Sequence, residues 1–264
     1  MELRRLLPGL YAYVLLYLAF LYIPVLFLPL FSFNDGTIVA FPIKGFTLKW
    51  YGELASADTL IQSLFNSLIV GSVAAIASTA MGLFAARAFV RYRFRGRDFS
   101  EGLVMLPLVV PGIIVASSML VMFLSIGLKP SLTTVVLGHT FLALPFAVSI
   151  MKSAFDEFDQ SLEEAAYDLG AGVLGTFRRV TLPIVAPGIV ASLLVTFTVS
   201  FDEFVLAFFL SGNQPTLPVY IWSQIRFPAK LPNTLALGSL LLLFSVALLV
   251  LAEYFRRQGG KGQA

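Results

Sequence analysis

Long apolar runs separated by short polar connections fill most of the chain. Six runs reach the roughly 20 residues that an α-helix needs to cross a bilayer. They cover residues 7–31, 64–90, 103–126, 132–151, 184–210 and 235–254. This pattern predicts an all-α, polytopic membrane protein with six transmembrane helices in a single domain over residues 1–264. The first run is longer than the apolar core of a signal peptide, so we expect it to be retained.

The composition also favours a membrane environment. Of 264 residues, 58% are hydrophobic and 12% are charged, whereas soluble domains carry about 25% charged residues. A chain with so few charges cannot cover itself with polar surface, so lipid must solvate much of it. The sequence contains no cysteine, which excludes disulfides, thiolate metal sites and thiol nucleophiles.

Positive charges are distributed unevenly between the two sides of the predicted bundle. If the N-terminus is cytoplasmic, that side carries Arg4, Arg5, Arg87, Arg91, Arg93, Arg95, Arg97, Lys152, Arg178, Arg179, Arg256, Arg257 and Lys261. The other side carries only Lys44, Lys49, Lys129, Arg226 and Lys230. Lys and Arg collect on the cytoplasmic side of membrane helices. Both termini are therefore predicted to be cytoplasmic, in a bacterial inner membrane, and the basic cluster 91–97 is interpreted as a stop signal rather than a nucleic-acid site.

Small residues and prolines indicate close helix packing. A stripe of small side chains recurs every fourth residue in the second run, at Ala74, Ser78, Gly82 and Ala86. Such stripes let helices approach closely in lipid. Prolines interrupt the third, fourth and fifth runs, at Pro107, Pro111, Pro145 and Pro187. A proline frees a backbone carbonyl, so these positions indicate either kinks in a packed bundle or backbone that lines a wet path.

The connection between the fourth and fifth runs, residues 153–183, has helix signals of its own. Ser161 lies three residues before Glu164, a spacing typical of a capping box, which predicts a helix over 161–169. Gly170 predicts the end of that helix, and a second helix is expected over 172–180, ended by Leu182 and Pro183. One face of the first helix can bury against a partner, through Leu162, Ala165, Ala166 and Leu169.

These residues resemble a known motif. Glu164-Ala165-Ala166, then Gly170, then Val180-x-Leu182-Pro183 is similar to the EAA loop of ATP-binding-cassette (ABC) importer permeases, with Val180 in place of Ile. The resemblance implies the fold of a type I importer permease with cytoplasmic coupling helices. It also implies that Glu164, Ala165, Ala166, Gly170, Leu182 and Pro183 couple the chain to an ATPase. Glu164 can cap its own helix and contact the partner at the same time.

The expected source of energy is another chain. The sequence has no GxxxxGK[ST] loop, and the glycines at 259–262 lack its spacing. We therefore expect no catalytic residue, cofactor or metal in this chain, with ATP and Mg²⁺ bound by the partner. The resemblance implies two ATP-binding subunits, a second homologous permease of the PotB type and a periplasmic solute-binding protein.

The resemblance extends along nearly the whole chain. Residues 32–34 (SFN), 45–51 (GFTLKWY), 92–97 (YRFRGR) and 200–204 (SFDEF) are similar to spermidine/putrescine permeases of the PotC type. A substrate path for such cations is expected at Trp50, Ser200, Asp202 and Glu203. Carboxylates at membrane depth usually face protein or water, and an indole ring can contact an ammonium group. A structural role for the two acids and an interfacial anchor role for Trp50 stay open.

One residue limits the substrate assignment. Polyamine permeases of this type tend to carry an acid after the proline of the third run, whereas this chain has Gly112. Opines, phosphonates or similar small solutes are therefore alternative cargoes. His139 is the only histidine, and an internal hydrogen bond is favoured over a relay or metal role.

Two other kinds of membrane protein fit the sequence less well. An ion-coupled secondary carrier would need coupling carboxylates in several spans and often an internal repeat. The sequence shows one acidic pair and leaves the EAA-like loop unexplained under that hypothesis. A membrane scaffold that transports nothing is disfavoured, weakly, by the broken helices and the intramembrane acids.

Overall fold

The structure is a computed structural model that describes the backbone of residues 3–259 and the side chains of residues 10–244 and 246. The side chains of Arg4, Arg5, Arg256, Arg257 and Lys261, the glycine-rich stretch 259–262 and the end of the sixth predicted span lie outside the described side chains.

Helices account for nearly all regular structure in the described residues. In chain order they are α1 (Leu3–Ser32), α2 (Lys49–Ala55), α3 (Asp58–Arg91), α4 (Arg97–Val109), α5 (Gly112–Ser125), α6 (Leu132–Asp156), α7 (Ser161–Asp168), α8 (Val173–Thr176), α9 (Leu182–Asp202), α10 (Val205–Leu210), α11 (Leu217–Ile225) and α12 (Leu231–Gly259). A π-helical turn (Phe177–Thr181) joins α8 to α9, and a 3-10 turn (Pro228–Lys230) precedes α12.

The apolar helices bear out a polytopic all-α membrane protein. Within the described residues, four helical segments are long and apolar enough to cross a bilayer: Leu10–Ser32, Asp58–Arg91, Leu132–Asp156 and Val173–Asp202. The pair α4 and α5 adds a fifth if it counts as one broken span. The sixth predicted span falls on α12, which together with the 3-10 turn before it forms a shorter apolar helix, Pro228–Phe244, in the described residues.

The third predicted span, 103–126, is not one continuous helix. The axes of α4 and α5 differ by 105°. Val110 and Pro111 are extended between them, with ψ of 131° and 130°. The residue before a proline disfavours helical backbone because the proline ring clashes with it. The break therefore lies where the sequence places Val110 before Pro111.

The fifth predicted span, 184–210, is also interrupted. Helix α9 ends at Asp202, Glu203 is extended, and α10 begins at Val205. The oxygen Oε1 of Glu203 accepts a hydrogen bond from the backbone N–H of Leu206, at 2.9 Å. Glu203 thus satisfies a free donor in the first turn of α10, which makes a restart of the helix favourable.

The described chain divides into two compact units. One consists of residues 1–58 and 221–264, and the other of residues 59–220. In the first unit, α1 packs on α12, where Gly238 faces Leu28. The prediction of a single domain over 1–264 stays a prediction.

Small residues hold the second unit together, as the stripe on α3 predicts. Ala74, Ser78, Gly82 and Ala86 are all buried. A methyl group added at Gly82 would come within 2.7 Å of the Ala147 Cβ on α6. Close approach of the helices is therefore a direct consequence of glycine at this position.

Hydroxyl groups and further glycines join α9 to its neighbours. The Thr79 hydroxyl of α3 forms a hydrogen bond with the Ser192 hydroxyl of α9, at 2.9 Å. Gly188 of α9 faces Ala154 of α6, where an added Cβ would lie 2.6 Å from the Ala154 Cβ. In lipid, such polar contacts satisfy hydroxyl groups that have no water to bind.

Candidate functional site

The helix predicted over 161–169 is α7, but its start differs from the prediction. Ser161 is the first helical residue rather than the N-cap, and no capping box with Glu164 forms. Instead, the Asp159 carboxylate accepts a hydrogen bond from the Ser161 N–H, at 2.9 Å. This bond lowers the pKa of Asp159 below its usual value, because it stabilises the ionised form. The N–H group of the first residue of α7 is thus satisfied by a carboxylate two residues upstream.

One face of α7 is open. Glu164, Ala165 and Leu162 are exposed, and Ala166 is half-buried. Leu169, directly after α7, has 89% of its surface exposed. Apolar side chains that a chain leaves this exposed on a short helix are typical of a surface that another protein covers. The face predicted to bury against a partner is therefore unoccupied within this chain.

Gly170 ends α7 through a left-handed backbone. Its φ is +83°, a value that only glycine adopts without strain. The Gly170 N–H binds the carbonyl of Tyr167 and the Ala171 N–H binds that of Ala166. This turn, called the Gly170 elbow, directs the chain from α7 into α8, as the sequence predicts for a glycine at this position.

The second helix of the 153–183 segment does not end at Leu182 and Pro183. Helix α8 runs into the π-helical turn, which continues directly into α9, and Pro183 lies in the first turn of α9. Proline is tolerated at the first positions of a helix because its fixed φ suits helical backbone. The prediction that Pro183 stops a helix is wrong, and the segment is continuous with a membrane span. Exposed side chains on this stretch include Val173, Leu174, Arg178 and Arg179.

Glu163, which the sequence did not single out, is the buried acid of α7. It is 6% exposed, and its Oε1 lies 3.2 Å from Nη1 of Arg87. Its Oε2 lies 4.0 Å from Nε of Arg91. The Thr181 hydroxyl, in the π-helical turn, donates a hydrogen bond to the same carboxylate. The partners are 72 or more residues upstream or 18 downstream, so no local pattern could identify this residue.

The two arginines are enclosed by aromatic rings and by α7. The Arg87 guanidinium lies 4.9 Å from the ring centroid of Phe177, and that of Arg91 lies 4.9 Å from the ring centroid of Phe158. Arg91 also donates to the side chain of Gln160, at 3.0 Å. Cations over aromatic faces are favourable where water is excluded. Arg87 and Arg91, whose charges help to predict the orientation in the membrane, therefore also contact side chains of the 153–183 segment.

The predicted substrate-path residues of the second unit lie close together in the chain but in different surroundings. Ser200 is buried, and its hydroxyl forms a 2.7 Å hydrogen bond with Nδ1 of His139. This is the internal hydrogen bond favoured for His139. Asp202 is exposed at the end of α9, whereas Glu203 binds the first turn of α10. Of the two predicted path carboxylates, Asp202 is therefore the one with an exposed side chain.

Trp50 and Gly112 complete the predicted positions. Trp50, in the first unit, is 5% exposed and donates from Nε1 to the carbonyl of Asn34, at 2.8 Å. Lys49 already lies over its ring, with Nζ 4.3 Å from the centroid. Gly112 begins α5, and no atom lies within 4 Å of an added Cβ. Among the described residues, no group of three or more His, Cys, Asp or Glu side chains could hold a metal ion.

Comparison with known proteins gives consistent matches. Residues 78–258 match the family described as binding-protein-dependent transport system inner membrane component. The chain is 34% identical to the spermidine/putrescine transport system permease protein PotC of Haemophilus influenzae, over 94% of this chain and 96% of that protein. It is 35% identical to the putrescine transport system permease protein PotI of Escherichia coli, over 87% of this chain and 84% of that protein.

The fold is similar to that of a solved transporter. A chain of a bacterial ABC transporter involved in the import of the acidic polysaccharide alginate aligns with a TM-score of 0.74, at 17% identity. The alignment covers 97% of this chain and 98% of that chain. At this level of identity the likeness concerns the fold alone.

Proposed function

This chain belongs to the family of binding-protein-dependent transport system inner membrane components, and from that premise we propose that it carries a polyamine such as spermidine or putrescine. It is a multi-pass membrane protein and a permease subunit of an ABC importer, rather than an enzyme. The identity of 34% to a spermidine/putrescine permease over nearly the full length carries the choice of cargo. The exposed carboxylate of Asp202 gives a cationic cargo a favourable contact.

The 153–183 segment docks on the ATPase in this proposal. The single observation that carries docking is the open apolar face of α7 and α8, formed by Leu162, Leu169, Val173 and Leu174. Glu164, Ala165 and Ala166 contribute the polar and small side chains of this face. Gly170 sets the angle between the helices, and Leu182 and Pro183 begin α9, directly after the π-helical turn.

We propose the composition of the assembly on the same premise. Two ATP-binding subunits that bind ATP and Mg²⁺ supply the energy, a second permease of the PotB type completes the membrane part, and a periplasmic solute-binding protein delivers the cargo. Both termini and the 153–183 segment lie on the cytoplasmic side, in accord with the charge distribution.

Uptake by the reconstituted importer tests the cargo. Proteoliposomes that contain both permeases and the ATPase, with the binding protein and ATP on their respective sides, should accumulate radiolabelled spermidine or putrescine. Liposomes without ATP provide the background. An importer that hydrolyses ATP and accumulates neither polyamine would contradict the polyamine assignment.

Capture of the ATPase tests docking at the Gly170 elbow. Gly170→Ala should weaken capture several-fold, because an L-residue in the left-handed region costs about 1–2 kcal/mol. Gly172→Ala is the matched control, because Gly172 has φ of −76° and open space around it. If Gly170→Ala captured as much ATPase as Gly172→Ala, the proposed role of Gly170 in docking would be contradicted.

A further inference from the structure

A buried carboxylate joins α7 to two other helical elements of the second unit. Glu163 forms ion pairs with Arg87 and Arg91 at the end of α3. It also accepts a hydrogen bond from the Thr181 hydroxyl, in the turn that leads into α9. The neighbouring Glu164 is exposed. Adjacent glutamates therefore point to different surroundings, one into the protein and the other to the open face.

Charge makes this contact hard to break. The side chains of Arg87 and Arg91 are 12% and 10% exposed, and the Glu163 side chain is 7% exposed. Breaking a buried pair by removal of one partner is strongly destabilising, because it leaves an uncompensated buried charge. Glu163 is the one carboxylate with an ion pair to either arginine among the described residues. Both guanidinium groups thus have this carboxylate as their ion-pair partner, and Arg91 also donates to Gln160.

The same two elements are joined again further along their length. Thr79 of α3 binds Ser192 of α9, and Gly71 of α3 faces the ring of Phe197, 3.0 Å from an added Cβ. Through these two contacts, a displacement of the helix ends at Arg87 and Thr181 can pass between α3 and α9. Helix α9 leads to Ser200 and Asp202.

We propose that Glu163 is the positioning residue that makes α3 and α9 follow α7 when the partner ATPase moves α7. This inference rests on the proposed docking of the 153–183 segment. It assigns separate roles to the two glutamates: Glu164 contributes to the contact with the ATPase, whereas Glu163 transmits its movement into the membrane helices.

A label on α9 reports this transmission without reference to cargo. The chain has no cysteine, so Leu194→Cys on the exposed side of α9 provides a unique position for an environment-sensitive fluorophore. In the reconstituted complex, addition of ATP and Mg²⁺ should change the emission of the label. ATPase capture and ATP hydrolysis are measured in the same samples.

The comparison of Glu163→Gln with Glu164→Gln tests whether the two glutamates have separate roles in transmission and in docking. Glu163→Gln should leave capture within about twofold and reduce the ATP-dependent emission change about tenfold, within the usual range of coupling energies. Glu164→Gln should reduce capture but keep the emission change per captured ATPase. Loss of capture by Glu163→Gln in step with the emission change would overturn the proposal, as would an unchanged emission change.

Further outcomes keep this inference separate from the proposed function. If Glu163→Gln does not accumulate in the membrane, Thr181→Val removes one donor only and should reduce the emission change about threefold. An unaltered emission change in Thr181→Val then overturns the proposal. If the unsubstituted chain captures no ATPase, the docking proposal fails and this inference fails with it. If it captures the ATPase but its label does not respond to ATP, docking stands and the transmission proposal is overturned.

Discussion

At the scale of single residues, the surroundings of a side chain decide a role that its type leaves open. Ser200, Asp202 and Glu203 lie within four positions, yet Ser200 binds His139, Asp202 is exposed and Glu203 binds the start of α10. A structural role that the sequence left open for Glu203 has a specific form here, since it satisfies a backbone donor of α10. A path role for these residues stays a prediction.

Ser200→Ala tests the buried contact of His139. In the described structure Nε2 of His139 has no hydrogen-bond partner, so this change removes the partner of the other ring nitrogen as well. An unsatisfied buried polar group costs about 1–3 kcal/mol. Thermal unfolding of the detergent-solubilised chain should shift to lower temperature. Ser117→Ala is the control, because this half-buried hydroxyl of α5 donates to carbonyls of its own helix, and the transition should stay unchanged.

Gly112→Asp tests whether an acid at the start of α5 favours cationic cargo. The added side chain meets open space, and a carboxylate in the first turn of a helix is stabilised by the helix dipole. We expect spermidine uptake at low concentration to rise severalfold relative to the unsubstituted importer. Gly112→Asn has nearly the same shape without the charge and should give no such rise. An equal effect of both changes would assign it to shape rather than to charge.

At the scale of elements, prolines and glycines determine where helices break and how closely they pack. The pair α4 and α5 bends at Val110 and Pro111, whereas Pro145 and Pro187 lie inside continuous helices. A proline therefore predicts a weak point in a helix, and the surrounding contacts decide whether the helix bends there. The π-helical turn before α9 likewise lets Pro183 continue a helix that it was predicted to end.

Gly82→Ala tests the packing of α3 on α6. The new methyl group would lie 2.7 Å from the Ala147 Cβ and 2.9 Å from the Ala147 carbonyl carbon, so the helices must move apart. Such overpacking costs about 1–3 kcal/mol. The unfolding temperature in detergent should fall. Gly102→Ala, in the open part of α4, should stabilise or leave the protein unchanged, because alanine favours helix. A fall of equal size in both variants would contradict close packing at Gly82.

At the scale of the whole molecule, the distribution of charge predicts how the chain lies in the membrane. The absence of cysteine allows single labels on either side. Tyr92 lies in the basic connection between α3 and α4, and Phe46 lies in the connection between α1 and α2; both are exposed. In intact spheroplasts, an impermeant maleimide should label Phe46→Cys and leave Tyr92→Cys unlabelled until the membrane is opened. Labelling of Tyr92→Cys in intact spheroplasts would reverse the predicted orientation.

Sequence patterns determined the class of protein, the position of most spans and the EAA-like segment. These features are local or periodic: apolar runs of fixed length, a small-residue stripe, and glycine at a left-handed turn. The motif at Glu164, Ala165 and Gly170 is likewise a matter of spacing within ten residues.

Tertiary structure decided which of two adjacent glutamates is buried. Glu163 meets Arg87 and Arg91 across more than 70 positions of the chain, and its contact with Thr181 depends on a turn that the sequence predicted as a helix end. Tertiary structure also decided the pairing of His139 with Ser200. In both cases polar groups that are distant in sequence satisfy one another where protein buries them from water, so no local pattern contains the contact.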